Sequence, residues 1–237
     1  GLLINEKAGV VNLGAEGMLL MGAVSGFGVA LHSGSTVLAL AAGGLVAALV
    51  AVIFGWLVIW INANQYATGL AVSLFGGGFS AFVGVRYVGQ KLGAPMSHSI
   101  PLLGDIPLLG PALFQHHPMV YLTLLAVLVV AWFFDRTRAG LVVRAVGESP
   151  ESAHALGYPV RWLRLGAVAC GGALCGVAGA YLSTVYTPLW VEGMVAGRGW
   201  IALALTVFAT WRPLRILAGA YLFGGVTMLQ LHLQGMG

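Results

Sequence analysis

Charge is what this chain has least of. Only 8% of its 237 residues are Asp, Glu, Lys or Arg, and 59% are apolar. Soluble domains carry about 25% charged residues, so a water-soluble core is excluded and an integral membrane protein is expected. Lysine is as scarce as aspartate. Lys7 and Lys91 are the only two, and no GxxxxGK[ST] occurs, so the chain has no P-loop with which to hydrolyse a nucleotide itself. If it moves a solute uphill, the energy must enter through a partner or an ion gradient. Ion-driven carriers show intramembrane acids, and Glu16 is the single candidate here. HExxH, CxxC and nucleophile-elbow patterns are also missing, which leaves enzymatic chemistry without support. His116-His117 has no acidic or Cys neighbours, and a surface pair is the expectation rather than a metal site. Cysteine is confined to Cys170 and Cys175, read as buried free thiols. Five positions turn about 140° around a helix, so the two share no face and form neither a disulfide nor a metal site.

Apolar runs and glycine are abundant. Spans are expected at about Val10–Leu31, Thr36–Ile61, Tyr66–Val85, Met119–Phe134, Leu165–Leu182, Trp200–Thr210 and Ile216–Leu233. The fold class is therefore an all-α polytopic transmembrane bundle of about seven spans, forming one domain over 1–237. Both ends look cut, with at least one more helix expected in the full chain. The 36 glycines include Gly22-x-x-x-Gly26 and Gly172-x-x-x-Gly176 with Gly179, smooth faces for close helix contact. Residues 86–118 form a long Pro- and Gly-rich loop with a doublet, Ile100–Gly104 and Ile106–Gly110. Its five prolines exclude a long helix, and it is expected to fold back against helix ends.

The charge that is present is concentrated. Asp135–Arg164 holds five of the eleven basic residues and three of the seven acids. Its Arg excess places it on the cytoplasmic side. Alternation then puts 86–118 outside, 62–65 inside, 32–35 outside, and both Glu6-Lys7 and the Arg212/Arg215 turn inside. The net charge of +4 thus reports topology and gives no hint of nucleic acid. Within the segment, Ser149 is a good N-cap, Pro150 suits the first helical position, Glu151 favours the dipole, and Gly157 supplies a left-handed stop. A helix of about two turns is too short to stand alone in water, and is well placed to dock on something else. A solvated loop with one ordered turn is the blander reading of the same residues.

Two polar clusters interrupt the apolar pattern. Asn12 and Glu16, four apart, are read as one helix face loosened by Gly9, Gly14 and Gly17. They are either a cytoplasmic helix start or the wall of a wet cavity. Asn64 and Gln65, with Asn62 and Thr68, form an interfacial turn or a second polar lining. Glu192 and Arg198 either pair at an outer helix end or rim a pore mouth.

These residues resemble a known family. Gly9-Val10-Val11-Asn12-Leu13-Gly14-Ala15-Glu16-Gly17-Met18 is similar to the signature near the start of the permease subunits of bacterial ABC importers, in the branched-chain amino acid, ribose-type sugar and nucleoside branch. Arg144-Ala145-Val146-Gly147-Glu148-Ser149-Pro150-Glu151-Ser152-Ala153, followed by Leu156-Gly157, resembles that family's coupling loop. Ser149 stands where Asn is usual, Ser152 where Ala is, and Tyr158 where Ile is common. Asn64-Gln65-Tyr66-Ala67-Thr68-Gly69-Leu70-Ala71 resembles the nucleoside and simple-sugar subgroup, with Asn64 for the usual Asp. Tyr181-Leu182-Ser183, Tyr186-Thr187-Pro188, Trp190–Met194 and Gly197–Ala204 look like the same subgroup.

The resemblance implies a pore-forming subunit in a bacterial plasma (inner) membrane. Its partners would be an ABC ATPase, a second homologous permease in a heterodimer, and an extracytoplasmic substrate-binding lipoprotein. The subunit would carry no cofactor, ATP being bound by the ATPase, and its solutes would be nucleosides, or alternatively simple sugars. It assigns Arg144, Gly147, Glu148, Ser149, Pro150, Glu151, Ala153 and Gly157 to ATPase coupling. Asn12, Glu16, Asn64, Gln65, Trp190, Glu192 and Arg198 are expected on or near the translocation path. A stand-alone channel or ion-driven carrier is the reading from another class.

Overall fold

The computed structural model describes residues 1–93 and 117–235, so the Ile100–Gly110 doublet and His116 lie outside the described residues. Ten α-helices are present among those described: α1 (Leu2–Lys7), α2 (Ala15–Ser33), α3 (Thr36–Ile59), α4 (Gln65–Gly84), α5 (Pro118–Arg136), α6 (Arg138–Glu148), α7 (Pro150–Ala155), α8 (Val160–Tyr181), α9 (Arg198–Phe208) and α10 (Pro213–Gln234). A 3₁₀ turn, Val85–Tyr87, extends α4, and a π-helical turn, Leu182–Tyr186, extends α8. Local chemistry sets most of the boundaries. Gly34 ends α2 in the left-handed region at φ +66°, and the Ser35 hydroxyl then accepts from the Leu38 amide to open α3. Asn64 opens α4 by accepting from the amides of Tyr66 and Ala67. Pro118 sits in the first turn of α5, where its missing N–H costs nothing.

The centre of the bundle is α2, α3 and α8. These helices touch backbone to backbone because their facing residues are small. A Cβ on Gly176 would overlap the Gly43 carbonyl oxygen, and one on Gly22 would overlap Gly176 itself. The Gly22 and Gly172/Gly176 faces thus lie in the contacts expected of them. Met18, Val50, Phe54 and Val168 fill the space below. Helices α5 and α10 lie at the periphery. Phe134 is the buried residue of α5, and α10 runs along α5 and α9 with an exposed apolar surface.

Among the described residues, six helical segments are long and apolar enough to cross a membrane: Ala15–Ser33, Thr36–Ile59, Gln65–Tyr87, Pro118–Arg136, Val160–Tyr186 and Pro213–Gln234. The protein is a multi-pass membrane protein. The seventh expected span differs. Helix α9 has 11 residues, which is about 16 Å at 1.5 Å per residue, against about 30 Å of hydrocarbon. It is a half-span, preceded by irregular chain from Thr187 to Gly197.

The shorter helix leaves the alternation of sides unchanged. Lys7 lies in the field of Arg144, Glu148, Asp135 and Arg212, so both basic segments share one end of the bundle. At the opposite end, the Leu92 amide donates to the Pro188 carbonyl at 3.0 Å. The chain between Pro188 and Arg212 therefore does cross, half as loop and half as α9. Cys170 is exposed and Cys175 buried, which corrects the expectation of two buried thiols. The 140° separation explains it, since one face of α8 packs and the other does not.

Candidate functional site

The α1–α2 connection, Ala8–Gly14, is non-helical backbone enclosed by the bundle, and each polar group it exposes must find a partner there. The Val10 amide donates to the Asn5 carbonyl at 3.0 Å. The Val11 amide donates to Gln65 Oε1 at 3.1 Å, and Ser73 Oγ donates to the Leu13 carbonyl at 2.7 Å. Arg164 Nε donates to the Ala8 carbonyl at 3.1 Å. Asn12 closes the turn itself, its Oδ1 accepting from the Gly14 amide at 3.0 Å while Nδ2 meets Met18 Sδ at 3.4 Å. It is fully buried. Helix α2 begins only at Ala15, so Asn12 and Glu16 do not share a helix face as the four-residue spacing suggested. The asparagine forms an Asx turn before the helix, and the glutamate stands in its first turn.

Glu16 reaches α9. Its Oε1 accepts from the Gly197 amide and its Oε2 from the Gly199 amide, both at 2.7 Å. These are the orphan donors of a helix N-terminus, where a carboxylate also meets the positive end of the dipole. The contact sits inside the bundle: neighbouring Gly17 packs on Val72, Ser73 and Gly76, about half-way along α4. Above it, Arg198 and Glu192 are exposed. They form no ion pair with each other among the described residues. Instead the Arg198 guanidinium lies over the Tyr186 ring, 5.3 Å from its centroid. Tyr186 and Trp200 are exposed beside it. Trp190 is the opposite case, 2% exposed, with its indole against Gly84 and packed with Ala23, Val24 and Phe27. It anchors the Thr187–Gly197 stretch and does not open onto solvent.

At the end of the bundle that carries the basic segments, Thr137 caps α6 by accepting from the Gly140 amide at 3.0 Å. Ser149 caps α7, accepting from the Ser152 amide at 3.4 Å and donating to Ser152 Oγ at 2.7 Å. Gly157 ends this unit at φ +85°. Pro150–Ala155 is thus the short capped helix expected, six residues long, with Glu151 exposed and Ala153 buried. Gly147 joins the unit to the bundle. A Cβ there would overlap the Lys7 carbonyl oxygen and lie 3.0 Å from the Gly9 amide nitrogen. Gly9, at φ +77°, reciprocates. Burial lowers the Lys7 pKa and the Arg144 charge adds to this, while Glu148 and Asp135 oppose it. Arg144 and Glu148 thus act on the α1 end as well as facing solvent. Beyond them, a groove of ≈ 690 Å³ separates α7 from the α3–α4 turn, lined among others by Trp60, Glu151, His154 and Trp162.

A family model described as "Branched-chain amino acid transport system / permease component" matches residues 1–236. The chain belongs to this permease family. It is 44% identical, over its whole length and 73% of the relative's, to the putative glucose ABC transporter permease protein TsgC13 of Haloferax volcanii. It is 30% identical to the guanosine ABC transporter permease protein NupQ of Bacillus subtilis, and 29% identical to the nucleoside ABC transporter permease protein NupC of Lactococcus lactis. These alignments cover 98% and 97% of this chain and 76% of each relative. No solved structure matches it significantly.

In this permease, Gln65 meets the Ala8–Gly14 connection through the Val11 amide and Glu16 meets the start of α9, whereas Asn64 is spent on capping α4. Residues that sequence reasoning missed cluster at α1. Glu6 accepts a hydrogen bond from the Trp211 indole. Burial raises the pKa of Glu6, and that bond opposes the shift. Asn5 is fully buried beside Gly171, its side-chain amide without a partner among the described residues. A six-residue helix carries no periodicity long enough to be found from sequence, and its partners lie far along the chain.

Proposed function

We propose that the chain is the pore-forming, non-catalytic subunit of an ATP-driven importer in the plasma (inner) membrane, and that its solutes are nucleosides. The observation that carries the reading is the seating of Gly147 on Lys7–Gly9. It links the capped α7 helix on the cytoplasmic face to the loop that enters the bundle. An ABC ATPase partner binds ATP and docks on α7 through Glu151 and its neighbours, and this chain needs no cofactor of its own. A second, homologous permease covers the exposed apolar faces as a heterodimer, and an extracytoplasmic lipoprotein delivers the solute. Tyr186, Glu192, Arg198 and Trp200 line the outer part of the path. An exposed arginine at a half-span helix start is costly against lipid, and aromatic faces with polar neighbours suit a neutral, ring-containing solute.

Two relatives named for guanosine or nucleoside transport support the solute class. The more similar relative named for glucose favours a simple sugar as the second reading. Uptake of labelled guanosine by cells carrying the whole transporter, competed with excess glucose, separates the two. Competition by unlabelled guanosine alone supports nucleosides; glucose uptake without guanosine uptake contradicts them. Glu151→Arg inverts the exposed charge of α7 and is expected to reduce co-purification of the ATPase. Undiminished co-purification and uptake would remove α7 from the docking site.

A further inference from the structure

Helix α9 is held at both ends by carboxylates from one N-terminal segment. Glu16 grips its first turn through the Gly197 and Gly199 amides, 2.7 Å each. Glu6 holds the turn after its last residue through the Trp211 indole. Both ends are also strained. Ala196 sits at φ +48° immediately before Gly197, and Thr210 and Trp211 both sit at φ +52°. Non-glycine residues in this region persist only where the surroundings over-determine them. Here the over-determining groups are the two glutamates, with Arg215 Nη1 donating to Thr210 Oγ1 at 2.8 Å. The segment that carries the glutamates is itself seated on the coupling unit through Lys7, Gly9 and Gly147.

From this arrangement we propose that Glu16 is a positioning residue for transport: it couples α9 to the Leu2–Ser33 segment, so that displacement of α6–α7 by the ATPase is delivered to α9 as a gate. The proposal rests on the permease reading. A carboxylate is required because both oxygens are used at once by two amides of one helix turn. A neutral amide offers one acceptor and turns its NH₂ group towards the second donor. Loss of the grip leaves the coupling unit and the ATPase contact intact while freeing the strained Ala196–Gly197 joint.

The test uses the assembled transporter in proteoliposomes, with spin labels on Trp162 of α8 and Phe208 of α9, both exposed, and Cys170 replaced. In the otherwise native protein the label distance is expected to change between nucleotide-free and ATP-trapped states. In Glu16→Gln, ATP hydrolysis continues, the distance change is lost, and solute imported per ATP falls about tenfold. Gly199→Ala attacks the same contact from the other side, since its Cβ would lie 2.7 Å from the Glu16 backbone N and Cα as well as from Oε2, and should reproduce the effect. An unchanged import-to-ATP ratio and distance change in both variants overturns the proposal. If neither variant assembles, the native distance decides: a fixed Trp162–Phe208 separation on trapping overturns it, and a changing one sustains it. Absence of any ATP-driven import by the native complex would contradict the permease reading instead.

Discussion

Gly147→Ala inverts an ordinary expectation. Replacing a helical glycine by alanine stabilises a helix by about 0.8–1 kcal/mol where the side chain meets open space. Gly166, in α8, is such a position, with nothing within 4 Å of a built Cβ. Gly147 also lies inside a helix, but its Cβ would overlap the Lys7 carbonyl oxygen and crowd the Lys7 carbonyl carbon at 2.9 Å. Backbone cannot rotate away as a side-chain tip can, so α6 must separate from α1. Overpacking of this kind costs about 1–3 kcal/mol, which outweighs the propensity gain. If that cost falls on the link between α7 and the Ala8–Gly14 loop, ATP-coupled uptake drops by about 5–150-fold. The assay pairs thermal unfolding of the purified permease with uptake by the reconstituted complex, for Gly147→Ala and Gly166→Ala in parallel. Gly166→Ala is expected to match or exceed the native melting temperature with native uptake, and Gly147→Ala to fall in both. Equal behaviour of the two variants would refute the mechanical role given to the Gly147 contact.

Gly176→Val places a branched side chain where a single Cβ already overlaps the Gly43 carbonyl. It is expected to cost about 1–3 kcal/mol or more and to broaden the size-exclusion profile of the permease, whereas a native profile would contradict the α3–α8 packing. Glu6→Gln keeps an acceptor for the Trp211 indole and removes the charge that burial disfavours. Because burial raises the folded-state pKa above 4.5, the native protein loses stability as pH rises through that raised value. The Gln variant should therefore melt higher above it, with the advantage gone below 4.5. A pH-independent difference in melting temperature would count against the cause given.

Legibility in the sequence followed the range of the interactions. Helix α7 was readable because its cap, first proline and glycine stop lie within nine positions, Ser149 to Gly157, and act on their own backbone. The glycine faces of α2 and α8 were readable because small residues four apart have one common use in a membrane. Helix α6 was not recognised, although Thr137 before Leu141, Val142, Ala145 and Val146 is a capped amphipathic pattern. The arginines between them give the segment the composition of a charged loop. The half-length of α9 was hidden because the apolar composition continues into Ala209, while the chain is turned by left-handed Thr210 and Trp211, residue types that do not announce such a turn. The Glu16 grip was beyond any local reading, its partners lying 181 and 183 positions away. Asn12 and Glu16 have the spacing of a helix face, but Asn followed two residues later by glycine is equally the mark of an Asx turn.

On the proposed function, this chain forms a path whose opening a separate ATPase drives through α7. Solute uptake into proteoliposomes tests this most directly, comparing this chain alone with the complete complex, each with and without ATP. Uptake is expected only for the complete complex with ATP, and is expected to be lost with Glu151→Arg. ATP-independent flux through this chain alone would contradict that function, and would mark a channel or carrier.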